Sequence, residues 1–193
     1  MHHADCRMNN VISDHPRISI SIAATLAIIG CTITLRQTLF NSFFSYQILS
    51  ERRFIAAPSH QSGRSTGYDT TEDGMIDDSL RETADTLSFT VQRCSRDPEE
   101  LRLSHKTNCI GYARFFCAEF NRRTATQGQS DRYRAAPFIG KIRFGGFDLH
   151  SLFPSPFFKD HDFVIVFDRQ NGNRTAVDPS LYDYKGISRV RLN

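Results

Sequence analysis

The chain predicts an α+β fold in which helices, one of them bearing a cysteine at its start, pack on an antiparallel sheet. Three observations carry this. The apolar positions of "MIDDSLRETADTLSFTVQRC" (75–94) and "NCIGYARFFCAEF" (108–120) recur at helical spacing. Beyond residue 136 the period changes to that of strands, in "PFIGKIRFGGF" (137–147) and "HDFVIVFD" (161–168). Helices first and strands afterwards, without βαβ alternation, is the α+β order.

Within 75–94, Ile76, Leu80, Ala84, Leu87 and Val91 fall on one helical face. "DPEEL" (97–101) reads as a helix start, with Asp97 as N-cap and Pro98 in the first position. Ile110, Ala113, Phe116, Cys117 and Phe120 form the next face. Thr107 or Asn108 serves as its cap, which leaves Cys109 in the first turn. "TATQGQSDRYRAA" (124–136) precedes the change to strand period. In "PFIGKIRFGGF", Phe138, Gly140, Ile142 and Phe144 alternate with Ile139, Lys141 and Arg143. "HDFVIVFD" and "TAVD" (175–178) read as a hairpin turned at Asn171-Gly172.

The front third differs. "ISISIAATLAIIGCTITL" (18–35) has no charge and would span about 27 Å as a helix, just short of a ~30 Å hydrocarbon core. It is expected to be a single-pass membrane anchor or export segment after an N-terminal tail (1–17). An uncleaved anchor is favoured over a cleaved signal or lipidation at Cys31, with the side of the membrane open. Residues 36–73 join an apolar patch, "TLFNSFFSYQIL", to the linker "APSHQSGRSTGYDTTEDG". The domain proper is placed at 74–193.

Sixteen Phe among 193 residues allow a core, and a net charge of +3 without a clustered basic run argues against nucleic acid. Five cysteines with no CxxC pair fit neither a disulfide framework nor a zinc site, so no metal or cofactor is expected. Cys109 and Cys117, two turns apart, are separated by about 12 Å and cannot pair.

Position gives Cys109 its interest. A helix N-terminus favours a thiolate and supplies N–H groups for an oxyanion, while a neighbouring imidazolium lowers a thiol's pKa further. Cys117, mid-helix, lacks both. Among the seven histidines, His161 alone opens a strong strand. The hairpin brings Asp178 opposite it, where a carboxylate fixes the tautomer and stabilises the charged ring. Asp178 before Pro179 also reads as a turn start, and the two roles are compatible. Asn108 is a candidate oxyanion donor, though an N-cap is its commoner use. The Phe-rich "GGFDLHSLFPSPFF" (145–158) reads either as a cleft lining or as an irregular flap.

"NCIGYARFF", "HDFVIVFD" and "TAVDPSLYD" together resemble the three blocks of the transglutaminase-like, papain-related cysteine enzymes, over roughly residues 100–184. The "VDP" after a hairpin is the most specific of them. The resemblance implies a papain/transglutaminase-like core and a Cys109–His161–Asp178 triad. Through a thioester the triad would act on a peptide or protein amide, as peptidase, amidase or acyltransferase. Two departures stand out. The chain has no Trp, with Phe163 in the place after the histidine, and "Thr-Asn-Cys" replaces "Gly-x-Cys". A non-catalytic binding module on the same fold, and a Cys-His cell-wall endopeptidase, are the alternatives.

Overall fold

The structure is a computed structural model that describes residues 30–31, 35–54, 70–154 and 158–193. The chain divides after Arg36 into two units, and the second, Gln37–Asn193, holds the sheet. In it, helical residues 37–43 lead into β1 (Phe44–Glu51). After the linker come α1 (Glu72–Thr86), β2 (Ser88–Phe89), α2 (Pro98–Ser104), β3 (Lys106–Thr107) and α3 (Cys109–Thr126). The remainder is β4 (Tyr133–Phe144), β5 (Phe147–Asp148), α4 (Leu149–Leu152), β6 (His161–Asp168), β7 (Arg174–Val177) and α5 (Pro179–Lys185).

Helices therefore pack on an antiparallel sheet, as the patterning predicts. The strands run β1-β4-β6-β7, every neighbour antiparallel, with β5 folded back on the end of β4. Alternation along β6 sends its side chains to two cores. Val164 and Val166 meet α1 and α3 through Met75, Leu80, Phe116 and Phe120. Phe163 and Ile165 face the other way, toward Tyr46 and Phe138. That second core is closed by the C-terminal residues, where Ile187 and Val190 are buried. Val190 N–H donates to Ala176 of β7, and Tyr46 N–H of β1 donates to Arg191. One short tail thus joins the two outer strands.

Several expectations are corrected. No helix among the described residues is long and apolar enough to cross a membrane. The longest, α3, carries Arg114, Glu119, Arg122 and Arg123 in its 18 residues, and charges of that kind are costly in hydrocarbon. The anchor and the membrane-associated localisation drawn from it are therefore withdrawn. Of 18–35 itself, residues 18–29 and 32–34 lie outside the described residues, as do the tail 1–17 and most of the linker.

The helix expected over 75–94 stops at Thr86, because Ser88 and Phe89 turn extended to pair in parallel with Lys106 and Thr107. Leu87 stays buried, but Val91 leaves the core and is 83% exposed. The strand starts earlier than the change of period beyond residue 136 suggests, since α3 ends at Thr126 and β4 begins at Tyr133. The hairpin forms as expected, its turn falling in "RQNGNR" with Gly172 at positive φ. Lastly, the boundary near residue 74 does not part β1 from the sheet, since β1 pairs with β4 from Phe44↔Phe144 to Glu51↔Phe138.

Candidate functional site

Asn108 caps α3, its side-chain oxygen accepting from Ile110 N–H at 3.1 Å. The cap fixes Cys109 in the first helical position, as the sequence predicts. Two close approaches hold that end of the helix in place. A Cβ on Gly111 would lie 1.8 Å from the Thr107 hydroxyl, so β3 and α3 meet only because Gly111 has no side chain. One residue on, the Tyr112 hydroxyl donates to Asp183 of α5 at 2.6 Å. The thiol of Cys109 is half-buried, whereas Cys117 is fully buried and burial pushes its thiol up.

His161 opens β6 and pairs across to Gly140 of β4. Its Nε2 lies 2.6 Å from Asp178 Oδ2, and Cys109 lines the same cleft, near enough for its charge to act on the ring. With Nε2 engaged, Nδ1 is the nitrogen left for the thiol. The three side chains selected from sequence are therefore brought together. The route differs from the one expected for Asp178: the ladder ends at Val164↔Val177, and Asp178 lies one residue beyond it as N-cap of α5. Its Oδ1 accepts from Leu181 N–H at 3.0 Å and Ser180 Oγ–H at 2.7 Å. The turn and the histidine contact coexist.

Tyr46 was not singled out from sequence. It is buried in β1, and its hydroxyl donates to Asp178 Oδ2 at 2.7 Å. Its ring meets His161 edge-on, centroids 5.8 Å apart. Strand alternation of Phe44, Tyr46 and Ile48 was the available signal, masked by reading the patch as lying ahead of the domain. Burial of Tyr46, and then the carboxylate beside it, raise its phenol well above the ordinary value.

Charge in the cluster follows from burial and pairing. Burial alone would lower the His161 pKa, but the Asp178 carboxylate and its hydrogen bond outweigh it and hold the ring's pKa above the usual histidine value. Burial would likewise raise Asp178; the imidazolium charge and the donors from His161, Tyr46 and Ser180 overcome that and hold it low. Asp162, next along the strand, points to the opposite face. There Arg52 forks onto it at 2.5 and 3.1 Å, so it does not merely solvate His161.

The cluster opens on a cleft of about 610 Å³. Cys109, His161, Asp178 and Asn108 line it together with Tyr46 and Ser180. Among the described residues of "GGFDLHSLFPSPFF" none lines this cleft, although Ile142 and Asp160 on either side of that run do. No group of His, Cys, Asp or Glu among the described residues is placed to hold a metal ion.

Fold and site together define an α+β domain in which a thiol, an imidazole and a carboxylate line one cleft. No protein-family model, curated protein or solved structure matches the chain.

Proposed function

We propose that the chain is a thiol-dependent amide hydrolase or acyltransferase with a papain/transglutaminase-like core, acting through a thioester on Cys109. One observation carries the reading: His161 Nε2 lies 2.6 Å from Asp178 Oδ2 while Cys109 lines the same cleft. That is the nucleophile–base–orienter order that covalent acyl transfer requires.

In this reading the thiol proton already rests on His161 Nδ1, as the ring's raised pKa favours, and the sulfur attacks the amide carbonyl carbon. The oxyanion forms beside the first turn of α3, whose N–H groups stabilise it. The carbon–nitrogen bond then breaks, and the amine leaves with the proton from His161. Water or a second amine, deprotonated by the same ring, cleaves the thioester and frees the thiol. Asp178 stays ionised throughout and fixes which nitrogen faces the sulfur.

Alkylation of the native chain with iodoacetamide near pH 6, followed by peptide mapping, tests this. Selective labelling at Cys109, lost in Cys109→Ala and sharply slowed in His161→Ala, is expected. Labelling confined to Cys94 or Cys117 would overturn it.

One feature favours a binding module instead. Asn108 already occupies the Ile110 N–H, removing one donor from the helix mouth. A chain that never acquires an acyl adduct at Cys109 from 4-nitrophenyl esters, yet binds peptide amides in the cleft, would select that second reading.

A further inference from the structure

Much of the cleft's lining is apolar. Phe89 of β2, Val91 just after it, and Leu181 and Tyr184 of α5 line it, with Ile142 from β4. Two of these are exposed to a degree their chemistry disfavours, Val91 at 83% and Tyr184 at 59%. Both line the cleft that Cys109 also lines. The aromatic pair within the wall is already built: Phe89 meets Tyr184 edge-on at 6.0 Å and stacks on Tyr112 at 6.4 Å. Tyr112 is in turn anchored to Asp183. A wall fixed in this way needs little ordering when a ligand arrives.

Charge is sparse. The charged residues lining the cleft besides His161 and Asp178 are Asp160 and Lys185, both exposed. A carboxamide or sugar side chain laid against the wall would lose water without gaining a partner, which is unfavourable. An apolar side chain would lose nothing. The volume, about 610 Å³, is in the range for a drug-sized ligand, enough for one bulky side chain and a short run of backbone.

We infer that this wall selects the acyl donor: an amide whose acyl residue carries a bulky apolar or aromatic side chain, in preference to glutamine or a glycan-linked peptide. The inference rests on the thiol-enzyme reading for the word "acyl", but the binding it describes needs no turnover. The side chain lies against Phe89, Val91 and Tyr184, and its carbonyl faces Cys109.

Binding is therefore measured on the Cys109→Ala chain, and on Cys109→Ser should the alanine variant fold poorly. N-acetylphenylalaninamide is compared with N-acetylglutaminamide by NMR titration. At least tenfold tighter binding of the phenylalanine compound is expected, the order of discrimination an apolar pocket achieves. Val91→Asp, at an exposed position, should erase that difference. Equal binding, preference for glutamine, or no binding of either compound at millimolar concentration would overturn the inference. Should Cys109 prove unreactive while the apolar preference survives, the enzyme reading falls and the apolar site stands.

Discussion

The Tyr46 hydroxyl and the His161 ring converge on one oxygen, Asp178 Oδ2, at 2.7 and 2.6 Å. Asp178 is thereby held by three elements at once: β1 through Tyr46, β6 through His161 and its own helix α5 through Leu181. Tyr46→Phe keeps the ring and its contacts with His161 and Phe163 and removes only the donor. The variant is expected to fold and to lose about 1.5–3 kcal/mol of stability, the size of a hydrogen bond to a charged group. Urea denaturation reads this directly. The Asp178 carboxyl should at the same time titrate higher than in the wild type, a shift that carbon-13 NMR of the carboxyl detects and that loss of packing alone would not produce.

The His161–Asp178 pair also dictates a pH dependence. His161 has a raised pKa in the folded chain, so its contribution is complete below the unfolded value, about 6.5, and is lost as pH rises through the folded one. Asp178 has a lowered pKa, so its contribution is complete above the unfolded value, about 3.9, and is lost as pH falls through the folded one. The two overlap between about pH 4 and 6.5. The stability difference between the wild type and His161→Asn should be greatest in that window and shrink on the alkaline side. Denaturant melts from pH 4 to 10 check it. A difference that grows above pH 7 would mean the ring is not charged by Asp178.

Cys109, His161 and Asp178 were legible because each sits at an element boundary with strong local signals: an Asn cap, the first residue of a β-branched and aromatic run, and an Asp-Pro helix start. Long-range pairing was not legible. Tyr46 is 132 residues from its partner, and nothing local marks its strand as part of the sheet rather than an apolar patch beside a linker. Val91 misled for a related reason. It continued a helical period that tertiary pairing of Ser88 and Phe89 with β3 cut short. Absence of charge in 18–35 was a composition signal alone, and such a run is compatible with more than one state.

Gly111 is a test of how α3 is placed. Adding a Cβ puts it 1.8 Å from Thr107 Oγ1 and 2.8 Å from Thr107 Cβ, contacts that force β3 or the helix start to move. Gly111→Ala should cost about 1–3 kcal/mol, as overpacking does. It should also slow iodoacetamide labelling of Cys109, because the first turn that carries the thiol is displaced. Combining it with Thr107→Ala removes the nearer atom and should restore part of both losses. A single variant as stable and as reactive as wild type would show that α3 does not depend on this approach.

The pairing of Arg52 with Asp162 decides where the folding unit begins. Asp162 is buried, and Arg52, just past β1, supplies two charged hydrogen bonds to it while its own N–H donates to Pro137. Arg52→Ala leaves a buried carboxylate without its counter-ion and should cost about 3–5 kcal/mol. Changing both residues, to Arg52→Met with Asp162→Leu, removes the charge along with its partner and should recover most of that. A chain starting at residue 74 lacks Arg52, Tyr46 and the whole of β1. It leaves one edge of β4 unpaired from Phe138 to Phe144, and Asp162 without Arg52. Such a fragment should fail to give a cooperative thermal transition by circular dichroism, whereas a chain starting at residue 37 should give one. A folded 74–193 fragment would mean that β1 is an accessory to the sheet, and that Asp178 finds its orientation without Tyr46.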